Sequence, residues 1–262
     1  MMDEAAFAEL QAPAGWRLVD LVSDLHLQPS EAATLALWER YLAATPADAL
    51  FILGDLFEVW VGDDAADEPG SFEARCAEVL ARAARQRPIF FLHGNRDFLV
   101  GEGFAARAGL TLLAEPTVLV FAGGRWLLSH GDLLCLEDTD YLAFREQVRS
   151  PAWQSAFLAQ PLAQRRAVAR QIRAQSEAHK ADPHTVWADV DADAARGWLR
   201  RADAPMLIHG HTHRPAVHDL GEGRSRWVLS DWDAAAKPPR AEALRLAADA
   251  PLPPRRIDLA SA

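Results

Sequence analysis

The segment Ala49-Leu50-Phe51-Ile52-Leu53-Gly54-Asp55-Leu56-Phe57-Glu58-Val59-Trp60-Val61-Gly62-Asp63-Asp64 decides how the chain is read. Its first five residues form an apolar run of strand length, and Gly54-Asp55 stops it. Upstream, the apolar run 16–27 ends in Val22-Ser23-Asp24-Leu25-His26-Leu27 and reads as a buried strand entering a loop. A helix is expected between the two, from Ser30 as N-cap to about residue 44. Downstream, the Ala-rich stretch 71–87 reads as a helix. It leads into Pro88-Ile89-Phe90-Phe91-Leu92-His93, a third strand stopped by Gly94-Asn95. Strands alternating with helices imply βαβ units and an α/β fold whose sheet is covered on both faces.

Further out the pattern changes. Strands are expected near 117–121 and 126–129, with a hairpin at Gly123-Gly124. Residues 133–196 contain no glycine, and apolar residues recur at helical spacing: Phe144 and Val148, Trp153 and Phe157, Val168 and Ile172. Two or three helices are expected there, interrupted near Pro151, Pro161 and Pro183. A last β region covers 205–209 and 227–229. The tail from Lys237 is rich in Pro and Ala and shows no recognisable chemistry.

A length of 262 residues suits one domain carrying a large insertion. Twenty-seven basic and 37 acidic residues give a net charge of −10. That argues against a nucleic-acid binder, and it admits an anionic ligand only where cations reverse the local sign. Two cysteines, Cys76 and Cys135, make no disulfide framework and point to a reducing compartment. Residues 1–7 lack the basic and apolar regions of a signal peptide, and no apolar run reaches the length of a membrane span. A cytoplasmic protein is expected, with peripheral membrane contact left open.

Five segments close the expected strands: Asp24-x-His26, Gly54-Asp55, Gly94-Asn95-Arg96-Asp97, Ser129-His130-Gly131-Asp132 and Gly210-His211-Thr212-His213. In an extended segment, residues i and i+2 share a face, so Asp24 and His26 are expected to grip one ion, and so are His211 and His213. The four glycines are expected to allow sharp turns. Open α/β sheets bind ligands at the carboxyl ends of their strands. Seven candidate metal ligands collect there: Asp24, His26, Asp55, Asn95, His130, His211 and His213. This nitrogen and oxygen set suits Mn, Fe or Zn. Seven donors exceed one tetrahedral site and suit two divalent ions sharing a carboxylate.

These motifs, in this order from about Leu18 to Trp232, resemble the calcineurin-like metallophosphoesterase superfamily. The resemblance implies a β-sandwich core flanked by helices and a dinuclear centre bridged by Asp55. It assigns Asp24, His26 and His213 to one ion, and Asn95, His130 and His211 to the other. Many members carry His after the asparagine, where it can act as a general acid. This chain has Arg96, which cannot give up a proton but can hold a phosphate oxygen. A phosphoanhydride, whose leaving group needs no protonation, fits that change.

The block 54–64, with Ser23-Asp24-Leu25-His26-Leu27, Gly94-Asn95-Arg96-Asp97-Phe98-Leu99 and Ile208-His209-Gly210-His211-Thr212-His213-Arg214-Pro215, is similar to the UDP-2,3-diacylglucosamine pyrophosphatases of lipid A synthesis. His130-Gly131-Asp132, Leu134-Cys135, Asp138, Tyr141 and Phe144-Arg145 extend the match. The resemblance implies water attack at the α-phosphorus, giving UMP and 2,3-diacylglucosamine 1-phosphate, with two ions, most often Mn2+. It implies a core of residues 1–132 and 205–262 and a helical cap at 133–204 that covers the acyl chains. Asp55, Asn95, Arg96 and His130 carry over as catalytic residues. Asn95, Arg96 and His211 would contact phosphate, Asp138 the glucosamine, and Ser176 the cap side. Either Lys180 does the work of a family lysine whose ungapped position holds Pro183, or that phosphate contact is made differently.

Residues 145–180 carry seven basic residues and two acidic ones, a local +5. Basic helices bearing Trp153, Phe157 and Leu158 are expected either to touch an anionic inner-membrane surface or to be solvated faces of a packed hairpin. The expected partner is a UDP-linked diacylated glucosamine lipid, met by a monomer on the cytoplasmic face. Asp97, Asp63 and Asp64 are expected to cluster around the cations. The rival readings are a metallophosphoesterase acting on a soluble nucleotide or phosphoprotein, and a scaffold without activity.

Overall fold

The computed structural model describes residues 6–180 and 188–260; for 175–180 and 251–252 it describes the backbone alone. In chain order the strands are β1 (Ala8–Gln11), β2 (Leu18–Val22), β3 (Ala49–Leu53), β4 (Ile89–Leu92), β5 (Leu110–Leu112), β6 (Thr117–Phe121), β7 (Gly124–Leu128), β8 (Met206–His209), β9 (Ala216–Gly221), β10 (Arg224–Val228), β11 (Glu242–Ala247) and β12 (Ala250–Asp258). The helices are α1 (Ala32–Ala44), α2 (Phe72–Ala84), α3 (Glu102–Ala108), α4 (Thr139–Arg149), α5 (Pro151–Leu158), α6 (Leu162–Lys180) and α7 (Ala192–Ala202).

Two six-stranded sheets pack face to face, ordered β12-β11-β2-β3-β4-β5 and β1-β6-β7-β8-β10-β9. Strands β2 to β5 run parallel, as βαβ units require. Strand β3 shows why the sequence reads as it does: all five residues are buried. Phe51 and Leu53 point between the sheets with Val19, Leu119 and Leu128. Leu50 and Ile52 point the other way, under α1 and α2, with Trp38 and Leu80. Each such side chain contributes about 1.5–3 kcal/mol by leaving water. A third apolar cluster joins Val118, Leu127 and Leu207 to Leu199 of α7 on the outer face of the second sheet.

Several expectations change in detail. Helix α1 starts at Ala32, and Glu31, not Ser30, occupies its N-cap without a side-chain bond. Ser71 does cap α2, its hydroxyl accepting the Ala74 N–H at 3.0 Å. The β6–β7 turn uses Ala122 and Gly123 at positive φ, and Gly124 already begins β7. The glycine-free stretch holds three helices among the described residues, α4 to α6, and the start of a fourth, α7, which runs on past it through Gly197. The tail adds two strands that were not expected: β11 pairs antiparallel with β2, and β12 closes that edge.

Helices α4 to α6 lie over the ends of β3 and β4. Trp153 and Phe157 of α5 stack at 4.7 Å, and Phe157 and Val168 join the cluster beneath α1 and α2. The positive charge of this region is turned inward. Arg165, 2% exposed, pairs with Asp64 and bonds the Val61 carbonyl. Arg166 meets Glu68 at 2.9 Å, and Arg173 meets Glu58. Arg145 bonds Asp132 at 2.7 Å and Glu115 at 3.1 Å, and Arg149 bonds the Gly94 carbonyl at 2.8 Å. Five of the seven basic residues thus fasten these helices to the acidic body.

Candidate metal centre

All five segments end at one place, the carboxyl ends of β2, β3, β4, β7 and β8. The loops are laced by backbone bonds: Asp24 N–H donates to the Gly54 carbonyl (3.1 Å) and His26 N–H to that of Asp55 (3.0 Å). The expected i, i+2 argument gives way here. Asp24, His26, Asp55, His211 and His213 all have φ between +48° and +67°, so none is extended. Five of the eight described non-glycine residues at positive φ are therefore candidate ligands. Such conformations cost about 1–3 kcal/mol each and persist where surrounding structure enforces them.

The glycines act in two ways. Gly54 and Gly131 take φ of +88° and +108°, as turns demand. Gly94 and Gly210 are needed for space: a Cβ there would lie 2.0 Å from Asp55 Oδ1 and 2.2 Å from Asp24 Oδ2.

Around Asp24, buried completely, stand His213 Nε2 at 3.3 Å and His26 Nε2 at 3.9 Å from Oδ1. The two imidazoles approach each other, Nε2 to Nε2, at 3.1 Å. On the other side, Asn95 Oδ1 lies 2.9 Å from His130 Nε2 and 2.9 Å from His211 Nδ1. His211 and His213 therefore face different groups, against the expectation from their spacing. Asp55 Oδ2 sits between the halves, 4.0 Å from His26 Nε2 and 3.8 Å from His130 Nε2. Its Oδ1 accepts the Arg96 N–H at 2.8 Å.

The donor set fits divalent cations. His130 Nδ1–H donates to the Leu53 carbonyl at 2.9 Å, which leaves the Nε2 lone pair aimed at the Asn95 oxygen. Glu58 Oε2 lies 2.9 Å from His26 Nδ1, outside hydrogen-bond geometry, and His26 Nε2 faces His213 Nε2 at 3.1 Å. Lone pairs converging in this way suit a cation between them. The Nε of Arg96, the residue after Asn95, is buried without a hydrogen-bond partner. His26 is partly buried and His213 exposed, so the centre opens to solvent on their side.

Electrostatics follow the packing. Burial opposes the charge on Asp24, but His213, His130 and His26 outweigh it and hold its carboxyl well below the usual range. Burial also opposes charge on His130, yet Asp55 and Asp24 raise it to about 9. Burial, with the nearby His130, lowers His211 to about 4. Divalent cations compete for these same nitrogen and oxygen atoms.

Asp97, Asp63 and Asp64 do not surround the cation site as expected. Asp97 accepts backbone N–H bonds from Leu56 (2.7 Å) and Gly94 (2.9 Å), so it pins two ligand loops together. Burial, with the charge of Asp55, raises it to about 7. Asp63 caps α3 by accepting Gly101 and Phe104 N–H groups at 2.9 Å, and Asp64 holds Arg165. Asp138 caps α4 through the Tyr141 N–H at 3.1 Å. Tyr141 stacks against His211 and donates its hydroxyl to Asp132. The side chains of Ser176 and Lys180, and Pro183 altogether, lie outside the described residues.

Two contributors escaped the sequence reading. Glu58 sits beside His26, and its only signal is an acid inside the apolar block 56–61. Glu115 accepts the His130 N–H at 2.8 Å and the Arg145 guanidinium at 3.1 Å; no local pattern marks it.

Residues 18–215 match the family model for calcineurin-like phosphoesterases. A UDP-2,3-diacylglucosamine hydrolase of Chromobacterium violaceum is 48% identical over 222 residues, covering 82% of this chain and 90% of that protein. One of Aromatoleum aromaticum is 48% identical, covering 80% and 87%. A solved metallophosphoesterase from Sphaerobacter thermophilus aligns over 93% of this chain and 87% of its own, with 16% identity and a TM-score of 0.41. With this centre and these relatives, the chain belongs to the calcineurin-like phosphoesterases, a metal-dependent hydrolase family, and within them to the UDP-2,3-diacylglucosamine hydrolases.

Proposed function

We propose that this enzyme hydrolyses the pyrophosphate of UDP-2,3-diacylglucosamine by water attack at the α-phosphorus, releasing UMP and 2,3-diacylglucosamine 1-phosphate. The observation that carries this is Asp55 Oδ2 lying between His26 Nε2 and His130 Nε2, within a seven-donor centre, in a chain 48% identical to hydrolases of that name. Asp24, His26, Asp55 and His213 would hold one ion, and Asp55, Asn95, His130 and His211 the second. Mn2+ is the ion we assign. Bound there, the pair acidifies a water and neutralises the anionic pyrophosphate.

The rest is the work of the chain. Arg96, with its unpartnered Nε, holds a phosphate oxygen and stabilises charge gathering on it as the new P–O bond forms. Asn95 and His211 sit against the same phosphate. The bond to the lipid phosphate breaks, and that leaving group departs as an anion without needing a proton from Arg96. The Leu53 carbonyl keeps His130 in the tautomer whose Nε2 faces inward, and the Glu58 carboxylate sits beside His26. Asp138 meets the glucosamine, with Ser176 and Lys180 on the cap side.

The cap of this reading is α4 to α6, the part of 133–204 that leaves the core; α7 packs on the second sheet. Between α4 and Phe98 runs a cleft with Asn95 at one end and Phe144 and Val148 along it. Its volume of about 10 Å³ is too small for an acyl chain, so α4 must move away from Phe98 to admit one. Leu136, Phe144 and Leu158 are 45%, 37% and 42% exposed, and we assign them to an apolar rim that would meet a membrane. No helix among the described residues is long and apolar enough to cross one. The enzyme acts as a monomer on the cytoplasmic face of the inner membrane.

The test is Mn2+-dependent release of UMP from UDP-2,3-diacylglucosamine, beside UDP-glucose and p-nitrophenyl phosphate. The lipid should be turned over far faster. Equal rates on all three would favour a soluble substrate and end the lipid assignment.

A further inference from the structure

Helix α4 presents one stripe to the metal centre. Tyr141, Arg145 and Arg149 recur every four residues and share a face. Each meets a neighbour of a different candidate ligand. Tyr141 stacks on His211 with ring centroids 6.0 Å apart. Arg149 bonds the carbonyl of Gly94, the residue before Asn95, at 2.8 Å. Arg145 reaches His130 through Glu115, which comes from the loop between β5 and β6. The Glu115 side chain is 7% exposed and uses both oxygens. Its Oε1 accepts the His130 N–H at 2.8 Å and the Ser129 hydroxyl at 3.0 Å, and its Oε2 accepts Arg145 at 3.1 Å. No hydrogen bond, ion pair or ring contact runs from α4 to Asp24, His26 or His213 among the described residues.

We infer that Glu115 is a positioning residue for His130, through which α4 sets how firmly one of the two ions, that of Asn95, His130 and His211, is held. The inference rests on the two-ion reading of the centre. A neutral acceptor would satisfy the His130 N–H equally well. A buried carboxylate is costly, and here it requires the Arg145 guanidinium beside it. What the charge adds is electrostatic: an anion behind a ligand favours a cation in front of it. Glu115 also braces the main chain, because the Ser129 hydroxyl that donates to it accepts the Gly131 N–H at 3.0 Å. His130 is thus fixed at its backbone by Glu115 and at its ring by the Leu53 carbonyl, and its Nε2 direction follows from both. The half made of Asp24, His26 and His213 is served differently, with α6 reaching it through Arg173 and Glu58.

Titrating the metal-free, full-length enzyme with Mn2+ tests this, the free ion being followed by electron paramagnetic resonance so that ions are counted without turnover. The parent should take up two. Glu115→Gln keeps an acceptor for the His130 N–H and removes the charge. It should weaken one ion roughly 10- to 100-fold, the usual cost of losing a partner behind a ligand, and leave the other unchanged. Added to His130→Ala it should change nothing further, and added to His213→Ala it should weaken the ion that remains. Glu115→Asp keeps the charge on a shorter stem and should weaken the same ion less; it decides the matter if Glu115→Gln does not fold. Arg166→Ala, which breaks the ion pair of α6 with Glu68, should leave both ions as in the parent. Two ions held at parental affinity in the Glu115 variants would overturn the positioning role. Equal weakening of both ions would overturn its assignment to one half. A parent that takes up a single ion would instead remove the two-ion reading on which the inference rests.

Discussion

The loops that carry the candidate ligands and the helices that cover them are built on opposite plans. Asp24, Asp55 and His130 are at most 1% exposed, and backbone bonds from one loop to the next set their positions. Five candidate ligands are held at positive φ, which only a rigid frame maintains. Helices α4 to α6 instead lean on the body through arginine side chains, and Phe144 and Leu158 stay 37% and 42% exposed. The difference separates two tasks. Folding the sheets assembles the chemistry, while α4 to α6, the cap of the proposed reading, are tied down largely by ion pairs between distant residues.

Substitutions can break that comparison, and the largest effect belongs to the frame. Asp55→Ala removes the carboxylate between the two halves. Activity should fall below detection, and bound metal measured by elemental analysis should fall with it. Arg96→Ala should keep its metal and lose turnover by about 10²–10³, the cost of one oxyanion-type donor. Loss of metal in that variant would show that Arg96 supports the ligands rather than the phosphate.

Arg145→Ala tests how the cap is fastened. It leaves Asp132 and Glu115 buried without their shared cation. Breaking a buried pair costs about 3–5 kcal/mol, readable from urea unfolding. Arg145→Lys should recover part of that loss but not the two-acceptor geometry. A change below 1 kcal/mol would mean the cap is held chiefly by its apolar contacts. The smallest effect is expected at the rim: Leu158→Ser should raise KM for long acyl chains a few-fold, leave short-chain analogues unchanged and spare kcat.

The same contrast explains what could be read from the residues alone. Every candidate ligand lies just past the end of an apolar strand, and Asp55, Asn95 and His211 directly follow a glycine, so local order exposed the centre and the parallel strands β2 to β4. The pairing geometry was not local: His211 and His213 diverge because each sits at positive φ, and no i, i+2 rule anticipates that. Edge strands were hard to see for another reason. β1 is Ala-Glu-Leu-Gln, half polar, and β12 contains Pro251, Pro253 and Pro254, which an edge tolerates and a central strand would not. The purpose of the basic cap residues was hidden by distance along the chain. Arg165 and Asp64 are 101 residues apart, and a count of charges cannot pair them.

The most direct test of the account is hydrolysis of UDP-2,3-diacylglucosamine in water enriched with oxygen-18, with Mn2+ present and then removed by chelation. The account predicts metal-dependent cleavage with the label in UMP, because water attacks the α-phosphorus. Label in the lipid phosphate, or cleavage that persists without metal, would contradict it.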